Sequence, residues 1–215
     1  MMVIPNNDPG CRPMSVLNLA GFLARSAVNG PGIRAVVWVQ GCPLRCEGCF
    51  NERFQPFSPA MQITVSELAE TILSLPGIEG VTISGGEPFA QAGPLAALGE
   101  KLRAAGLSIV TYTGYTEDQL AGGDDPAWPS LLAVTDLLIA GPYIAALARP
   151  DPLKGSANQH VIPLGTRLVS PALTRAYDTS SGRTEFTIAP NGTITTTGFP
   201  VPALLEHLVS RCRGE

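Results

Sequence analysis

The chain has 215 residues, of which 45% are hydrophobic and 15% charged, the latter below the ~25% of an average soluble protein. A net charge of −4 gives no electrostatic reason to expect nucleic-acid binding. No apolar run approaches the ~18 residues that span a bilayer, and no signal-peptide core is visible, so no membrane partner is expected and the protein is read as cytoplasmic. Residues 1–14, with Pro5, Pro9, Gly10 and Pro13, are expected to form an irregular arm carrying Cys11. A short edge strand over Ser15 to Ala20 is expected next. An Asn29-Gly30-Pro31-Gly32 turn then feeds a strand at 35–40, built on Ala35-Val36-Val37-Trp38-Val39. A loop through Phe54, Pro56, Phe57 and Pro59 leads to a helix ending at Leu75, with Ser66 as its N-cap and Pro76-Gly77 as its stop. Gly80 to Ser84 reads as a strand, 91–105 as a helix, Leu107 to Thr113 as a strand, 116–121 and 128–134 as short helices, and Asp136 to Ala140 as a strand.

Strands alternating with helices argue for right-handed βαβ units. The expected fold class is α/β: a partial, open βα barrel with a mostly parallel sheet, plus a C-terminal β-hairpin and helix. Residues 141–160 read as a long loop with one helical turn, of the kind that covers sites. The hairpin, 183–189 with 193–197, turns at Pro190-Asn191-Gly192, and the helix spans about 202–212. The domains so defined are the arm 1–14, a core 15–160, and an extension 161–215 packed on that core.

Three cysteines in Gly41-Cys42-Pro43-Leu44-Arg45-Cys46-Glu47-Gly48-Cys49-Phe50-Asn51 leave the end of the 35–40 strand. Thiolates that converge at Cys-x3-Cys-x2-Cys spacing suit soft metals. A structural zinc site wants four closed ligands, and Cys11, Cys212, His160 and His207 each stand alone and far off in sequence. With three cysteines an iron–sulfur cube would keep one open iron. Gly85-Gly86-Glu87-Pro88 follows the next strand: its glycines allow close backbone approach to a ligand, and a carboxylate beside them can receive an ammonium, although the same four residues also make a common turn. Tyr112-Thr113-Gly114-Tyr115 ends a third strand. Ligands of parallel sheets gather at the carboxyl ends of strands, so these motifs are expected on one rim.

The cysteine spacing resembles the cluster loop of radical S-adenosylmethionine (radical SAM) enzymes. Those usually carry an aromatic residue just before the third cysteine; here that place is Gly48, and Glu47-Gly48-Cys49-Phe50-Asn51 is most similar to the activating enzymes of anaerobic ribonucleoside-triphosphate reductase. Val28 to Arg34 resembles the Gly-Pro-Gly segment of glycyl-radical-enzyme activases, and Tyr112 to Tyr115, Asp136 to Gly141 and Gly155-Ser156-Ala157-Asn158-Gln159 resemble reductase-activase segments. The resemblance implies that Cys42, Cys46 and Cys49 hold a 4Fe–4S cluster. It places S-adenosylmethionine (SAM) against Gly48, Phe50, Gly85, Gly86, Glu87, Pro88 and Thr113, with Phe50 as a wall for adenine. Reductive cleavage of SAM would give a 5′-deoxyadenosyl radical that abstracts hydrogen, the electron coming from a flavodoxin or ferredoxin. The expected partner is a glycyl-radical enzyme; a tailoring enzyme of small molecules or peptides, or a non-catalytic iron–sulfur or zinc protein, stays open. Phe54, Phe57 and Phe89 fit either an apolar docking rim or the packing of the barrel.

Overall fold

The computed structural model describes residues 16–149, 151–168, 183–188 and 194–198. In chain order it contains β1 (Val16–Ser26), β2 (Arg34–Val39), β3 (Met61–Thr64), α1 (Val65–Leu73), β4 (Gly80–Gly85), α2 (Ala92–Ala104), β5 (Ser108–Thr113), α3 (Glu117–Ala121), α4 (Trp128–Val134), β6 (Leu137–Ala140), β7 (His160–Pro163), β8 (Thr184–Ile188) and β9 (Ile194–Gly198). Seven strands form one mixed sheet in the order β3-β1-β2-β4-β5-β6-β7, and β8 pairs with β9 in a separate antiparallel hairpin. The centre, β2-β4-β5-β6, is parallel; β1, β3 and β7 flank it antiparallel.

The central strands are continuous apolar runs because both faces are covered. Period-2 alternation divides them. Ala35, Val37, Val81, Ile83, Ile109 and Leu138 point into the larger core, where Leu68, Ile72, Leu95, Leu98, Leu102 and Leu131 of the helices meet them. Val110, Leu137 and Ile139 point the other way, onto Leu153 and Leu168. Trp38, Ser84 and Tyr112 share the parity of Val110 and belong to this second face.

One charged side chain clamps the starts of the strands. Arg34 is fully buried, and its guanidinium donates to Thr82 Oγ1 (2.9 Å), Pro31 O (3.0 Å), Ser108 Oγ (3.0 Å), Val81 O (2.8 Å) and Ser108 O (2.7 Å). Burial lowers its pKa to about 10, which still leaves it charged at neutral pH.

Several sequence expectations change in detail. The strand expected at the edge is 11 residues long and lies inside the sheet, between β3 and β2. The strand runs on past Ala20 through Gly21, which sits at a register shift in the pairing with β2. The first helix begins at Val65, and its N-cap is Thr64, not Ser66: Thr64 and Glu67 exchange side-chain-to-backbone bonds in a capping box. β3 and β7 are strands where no element was expected. The paired hairpin agrees with expectation. The arm 1–14, the Pro190-Asn191-Gly192 turn, the 202–212 helix, Cys11, Cys212 and His207 lie outside the described residues.

Candidate active site

At the carboxyl ends of β2, β4, β5 and β6, on the face away from the helices, lies a cavity of about 180 Å³. Its lining brings together Cys42, Cys46 and Cys49, then Gly85, Gly86 and Glu87, then Tyr112, Thr113 and Gly114. The expectation of three motifs on one rim is met. Asn29, Trp38, Asn51, Tyr143, Gln159, Thr197 and Gly198 supply further walls.

The cysteine loop is coiled by three residues in the left-handed region: Gly41 (φ 100°), Arg45 (φ 48°) and Gly48 (φ 68°). Its ends are tied down: Gly41 N donates to Phe54 O (2.8 Å) and Cys42 N to Gln55 O (2.9 Å). All three thiols are free and partly exposed. Burial pushes the Cys42 thiol up, and the amide of Asn51 donates to Cys49 Sγ at 3.4 Å. Among the described residues no three His, Cys, Asp or Glu side chains converge on a single metal ion. Three thiols facing one cavity fit a cluster better, since each then meets a different iron and the sulfurs need not crowd one centre.

The Gly-Gly-Glu-Pro segment does more inside the protein than its sequence suggests. A Cβ on Gly86 would stand 2.2 Å from Gly41 O, and one on Gly85 2.5 Å from Val39 N. The two glycines therefore let this turn lie against the backbone of β2 and the cysteine loop, where Gly86 N donates to Val39 O and Glu87 N to Gly41 O, both at 2.8 Å. Close approach is used, as expected, but here by the cysteine loop's own backbone.

Glu87 is buried, and its carboxylate accepts from Phe89 N and Thr113 Oγ1 through Oε1 and from Gly114 N through Oε2, each at 2.9 Å. Burial pushes its pKa up from 4.5 to about 7, against the pull of those bonds. Glu87 thus fastens the end of β5 to the turn after β4, and Thr113, itself in the cavity lining, holds the Glu87 carboxylate in place. Pro88 is buried as the first residue of a short 3-10 turn.

Gly48 leaves room for the 141–160 loop: Ala145 Cβ lies 3.3 Å from where its side chain would start. Tyr143 of that loop packs on the half-exposed Phe50 with ring centroids 4.9 Å apart. Side-chain amides tie the two ends of this loop together just beyond β6. Gln159 accepts from Gly155 N (2.8 Å) and donates to Gly141 O (2.9 Å), and Asn158 donates to Pro142 O (2.8 Å). Of the three phenylalanines that fit either a rim or interior packing, Phe54 and Phe89 are buried and pack the interior, and Phe57 is exposed. The Phe57 ring lies against Gly41 at the start of the cysteine loop, and Phe50 and Ile144 add exposed apolar surface near that loop.

Comparison with known proteins gives consistent matches. Residues 28–162 match the family model described as "4Fe-4S single cluster domain". The anaerobic ribonucleoside-triphosphate reductase-activating protein of Escherichia coli K12 is 31% identical over 157 residues, covering 67% of this chain and 97% of that one. The protein of the same name from Vibrio cholerae is 30% identical, covering 66% and 96%. The pyruvate formate-lyase-activating enzyme of Staphylococcus epidermidis is 33% identical over 66% of this chain and 59% of its own length. The crystal structure of QueE from Escherichia coli overlays on 47% of this chain at 18% identity with a TM-score of 0.39, a likeness too small to build on.

Proposed function

We propose, because this chain belongs to the 4Fe-4S single cluster domain family, that it is a radical SAM enzyme that generates a glycyl radical on a partner enzyme. The observation that carries the reading is the shared cavity: Cys42, Cys46 and Cys49 face Gly85, Gly86, Glu87 and Thr113 across one opening. Relatives named for activating anaerobic ribonucleoside-triphosphate reductase and pyruvate formate-lyase support the choice of partner, with the reductase the first to try.

In this reading Cys42, Cys46 and Cys49 hold the cluster as thiolates, and the raised pKa of Cys42 means that loading must displace a proton held more tightly than usual. The Asn51 amide draws charge from the Cys49 sulfur. The cofactors, when bound, supply one-electron cleavage of SAM and hydrogen abstraction from a substrate carbon. Glu87 already accepts three bonds of the roughly four a carboxylate can take, so Oε2 keeps a place for the methionyl ammonium. An ammonium there favours the ionised form and draws the pKa back down. Gly85 and Gly86 hold the SAM-facing turn against the cysteine loop, Pro88 starts the 3-10 turn behind it, and Thr113 positions Glu87. Phe50, backed by Tyr143 and given space by Gly48, offers a flat apolar wall for the adenine.

We infer further that the sheet is part of an open βα barrel, supported by helices on one face and the cavity on the other. The chain divides into the arm 1–14, the core 15–160 and the extension 161–215 packed on it, with β7 at the seam. The electron donor is a flavodoxin or ferredoxin in the cytoplasm; no helix among the described residues is long and apolar enough to cross a membrane. One observation favours a second reading, a tailoring enzyme: the 141–160 loop and the hairpin both stand at the cavity, as a cover would. Anaerobic reconstitution with iron and sulfide, then SAM and dithionite, tests the chemistry. Methionine and 5′-deoxyadenosine are expected, and an intact cluster that leaves SAM uncleaved overturns it.

A further inference from the structure

One wall of the cavity lies beyond the family match. Thr197 and Gly198, at the end of β9, line it beside Asn29, whereas the match ends at residue 162. The hairpin is fastened there by a chain of polar contacts. Ser26 Oγ donates to Glu185 Oε2 (2.5 Å), and Ala27 N donates to Glu185 Oε1 (3.2 Å). Ser26 Oγ accepts in turn from Asn29 Nδ2 (2.8 Å). Asn29 then meets Thr197 twice, Nδ2 donating to Oγ1 at 2.9 Å and Oδ1 accepting from it at 3.1 Å.

Glu185 and Thr197 are directly paired across the hairpin, so both anchors stand on one face of it. Ser26 is fully buried and Thr197 is 8% exposed, which keeps water from competing for these bonds. Gly198 completes the fit: with φ 96°, a Cβ there would stand 2.2 Å from Arg183 O and 3.1 Å from Val28 Cγ2. The side-chain hydrogens of Asn29 and Thr197 are thus spent within the anchor, and the wall presents the remaining lone pairs of Asn29 Oδ1 and Thr197 Oγ1 beside the bare backbone of Gly198. Asn51 and Gln159 add neutral side-chain amides elsewhere around the cavity, each with one amide hydrogen left after its bond to Gly85 O or Gly141 O. Amides and hydroxyls are the natural partners of a polypeptide backbone, which carries one donor and one acceptor per residue.

Resting on the activase reading, we propose that the β8–β9 hairpin is the partner-selecting wall of this enzyme: held to Asn29 and β1 by Thr197 and Glu185, it guides a glycine-bearing peptide segment of the partner past Gly198 to the cysteines. Glu185 is a positioning residue, since it acts through Ser26 and Ala27 and does not line the cavity.

The test uses the full-length, reconstituted protein and synthetic peptides that carry one α,α-dideuterated glycine in uncharged flanks. Peptide binding is read by fluorescence anisotropy on labelled copies, with SAM present and no reductant. Deuterium transfer is read by mass spectrometry of 5′-deoxyadenosine after dithionite is added. In each event dithionite gives one electron, one SAM yields methionine, one glycine C–D bond breaks and one C5′–D bond forms, leaving the unpaired electron on the glycine Cα.

The wild type is expected to bind such peptides and to take up deuterium. Glu185→Ala should bind them about ten-fold more weakly, as loss of hydrogen bonds to a charged group implies, while keeping its iron content and its peptide-free SAM cleavage. Thr197→Val, nearly the same shape without the hydroxyl bonds, should lose peptide affinity in the same direction. Unchanged affinity in both variants overturns the proposal. So does a wild type that cleaves SAM yet neither binds nor deuterates from any glycine peptide. A Glu185→Ala protein that loses iron and SAM cleavage together with peptide binding would make the hairpin structural and also overturn it. A wild type that cannot cleave SAM refutes the activase reading itself, and this proposal with it.

Discussion

Replacing Gly86 with alanine tests whether the Gly-Gly-Glu-Pro turn is built to touch the cysteine loop. The added carbon would sit 2.2 Å from Gly41 O, 2.8 Å from Gly41 C and 2.9 Å from Phe54 O. All three are backbone atoms and cannot rotate away. Something must shift, and what stands in line are the bonds Gly86 N to Val39 O, Glu87 N to Gly41 O and Gly41 N to Phe54 O, each 2.8 Å. Overpacking costs about 1–3 kcal/mol, and weakening one of these hydrogen bonds adds about 0.5–1.5 kcal/mol, so a loss of about 2–4 kcal/mol is expected. For a chain of this size that is a fall in Tm of about 4–16 °C. Because the displaced atoms belong to the cysteine loop, the variant should also take up less iron on reconstitution. Gly93→Ala is the control: Gly93 lies in the first turn of α2, and its nearest neighbour would be Ala127 Cβ at 3.8 Å. Helix propensity there favours alanine, so a gain of about 0.5–1 kcal/mol is expected. Thermal unfolding of both apo proteins, with iron and sulfide assays after loading, decides the matter. A Gly86→Ala protein that melts with the wild type and loads iron fully would refute the reasoning.

Glu87 should make stability depend on pH in an unusual sense. Its folded pKa of about 7 exceeds the ordinary 4.5, so between those values the folded chain holds a proton that the unfolded chain releases. The stabilisation is complete below about pH 4.5 and is lost as pH rises towards 7, by about 3 kcal/mol in all. Glu87→Gln does not titrate, so the Tm advantage of the SAM-free wild type over it should shrink from pH 5 to pH 8; a constant difference would mean that Glu87 stays ionised. Arg34→Met should cost at least about 3 kcal/mol in denaturant unfolding, because Pro31 O, Val81 O and Ser108 O lose a buried donor together. A loss below about 1 kcal/mol would mean that these carbonyls find other partners. Serine at Cys42, Cys46 or Cys49 should each abolish the 4Fe–4S signal in absorbance and iron assays, while serine at Cys11 or Cys212 should leave it; loss at either of the latter would point to a fourth thiolate.

The chemistry of this chain was legible because it sits in short, dense motifs at strand ends. Cys42, Cys46 and Cys49 declare a soft-metal loop by spacing, and the βαβ alternation places Glu87 and Thr113 on the same rim. What was illegible depends on single contacts between distant segments. Nothing periodic marks Glu185 as the partner of Ser26, or Thr197 as the partner of Asn29, so the Thr-rich hairpin is legible as a hairpin and as a possible cover, but the contacts that fasten it are not. Sequence cannot say whether a ligand or the protein's own backbone lies beside a glycine, and at Gly86 the backbone of Gly41 and Phe54 lies there. β3 and β7, four residues each, are too short to show alternation, and Pro163 suits β7 only because that strand is the sheet edge. A positive signal was present for the α1 start: Thr64 with Glu67 three residues on is the capping-box pattern, which outranks Ser66.

The measurement that bears most directly on the proposed function is electron paramagnetic resonance of an anaerobic mixture of this protein, SAM, a reductant and the inactive glycyl-radical enzymes of its own genome, anaerobic ribonucleoside-triphosphate reductase first. The account predicts a glycyl doublet that appears only when all components are present and disappears with serine at any one of Cys42, Cys46 and Cys49. SAM cleavage to 5′-deoxyadenosine with no doublet on any of these enzymes would contradict activation of a protein partner and assign the cavity to another substrate.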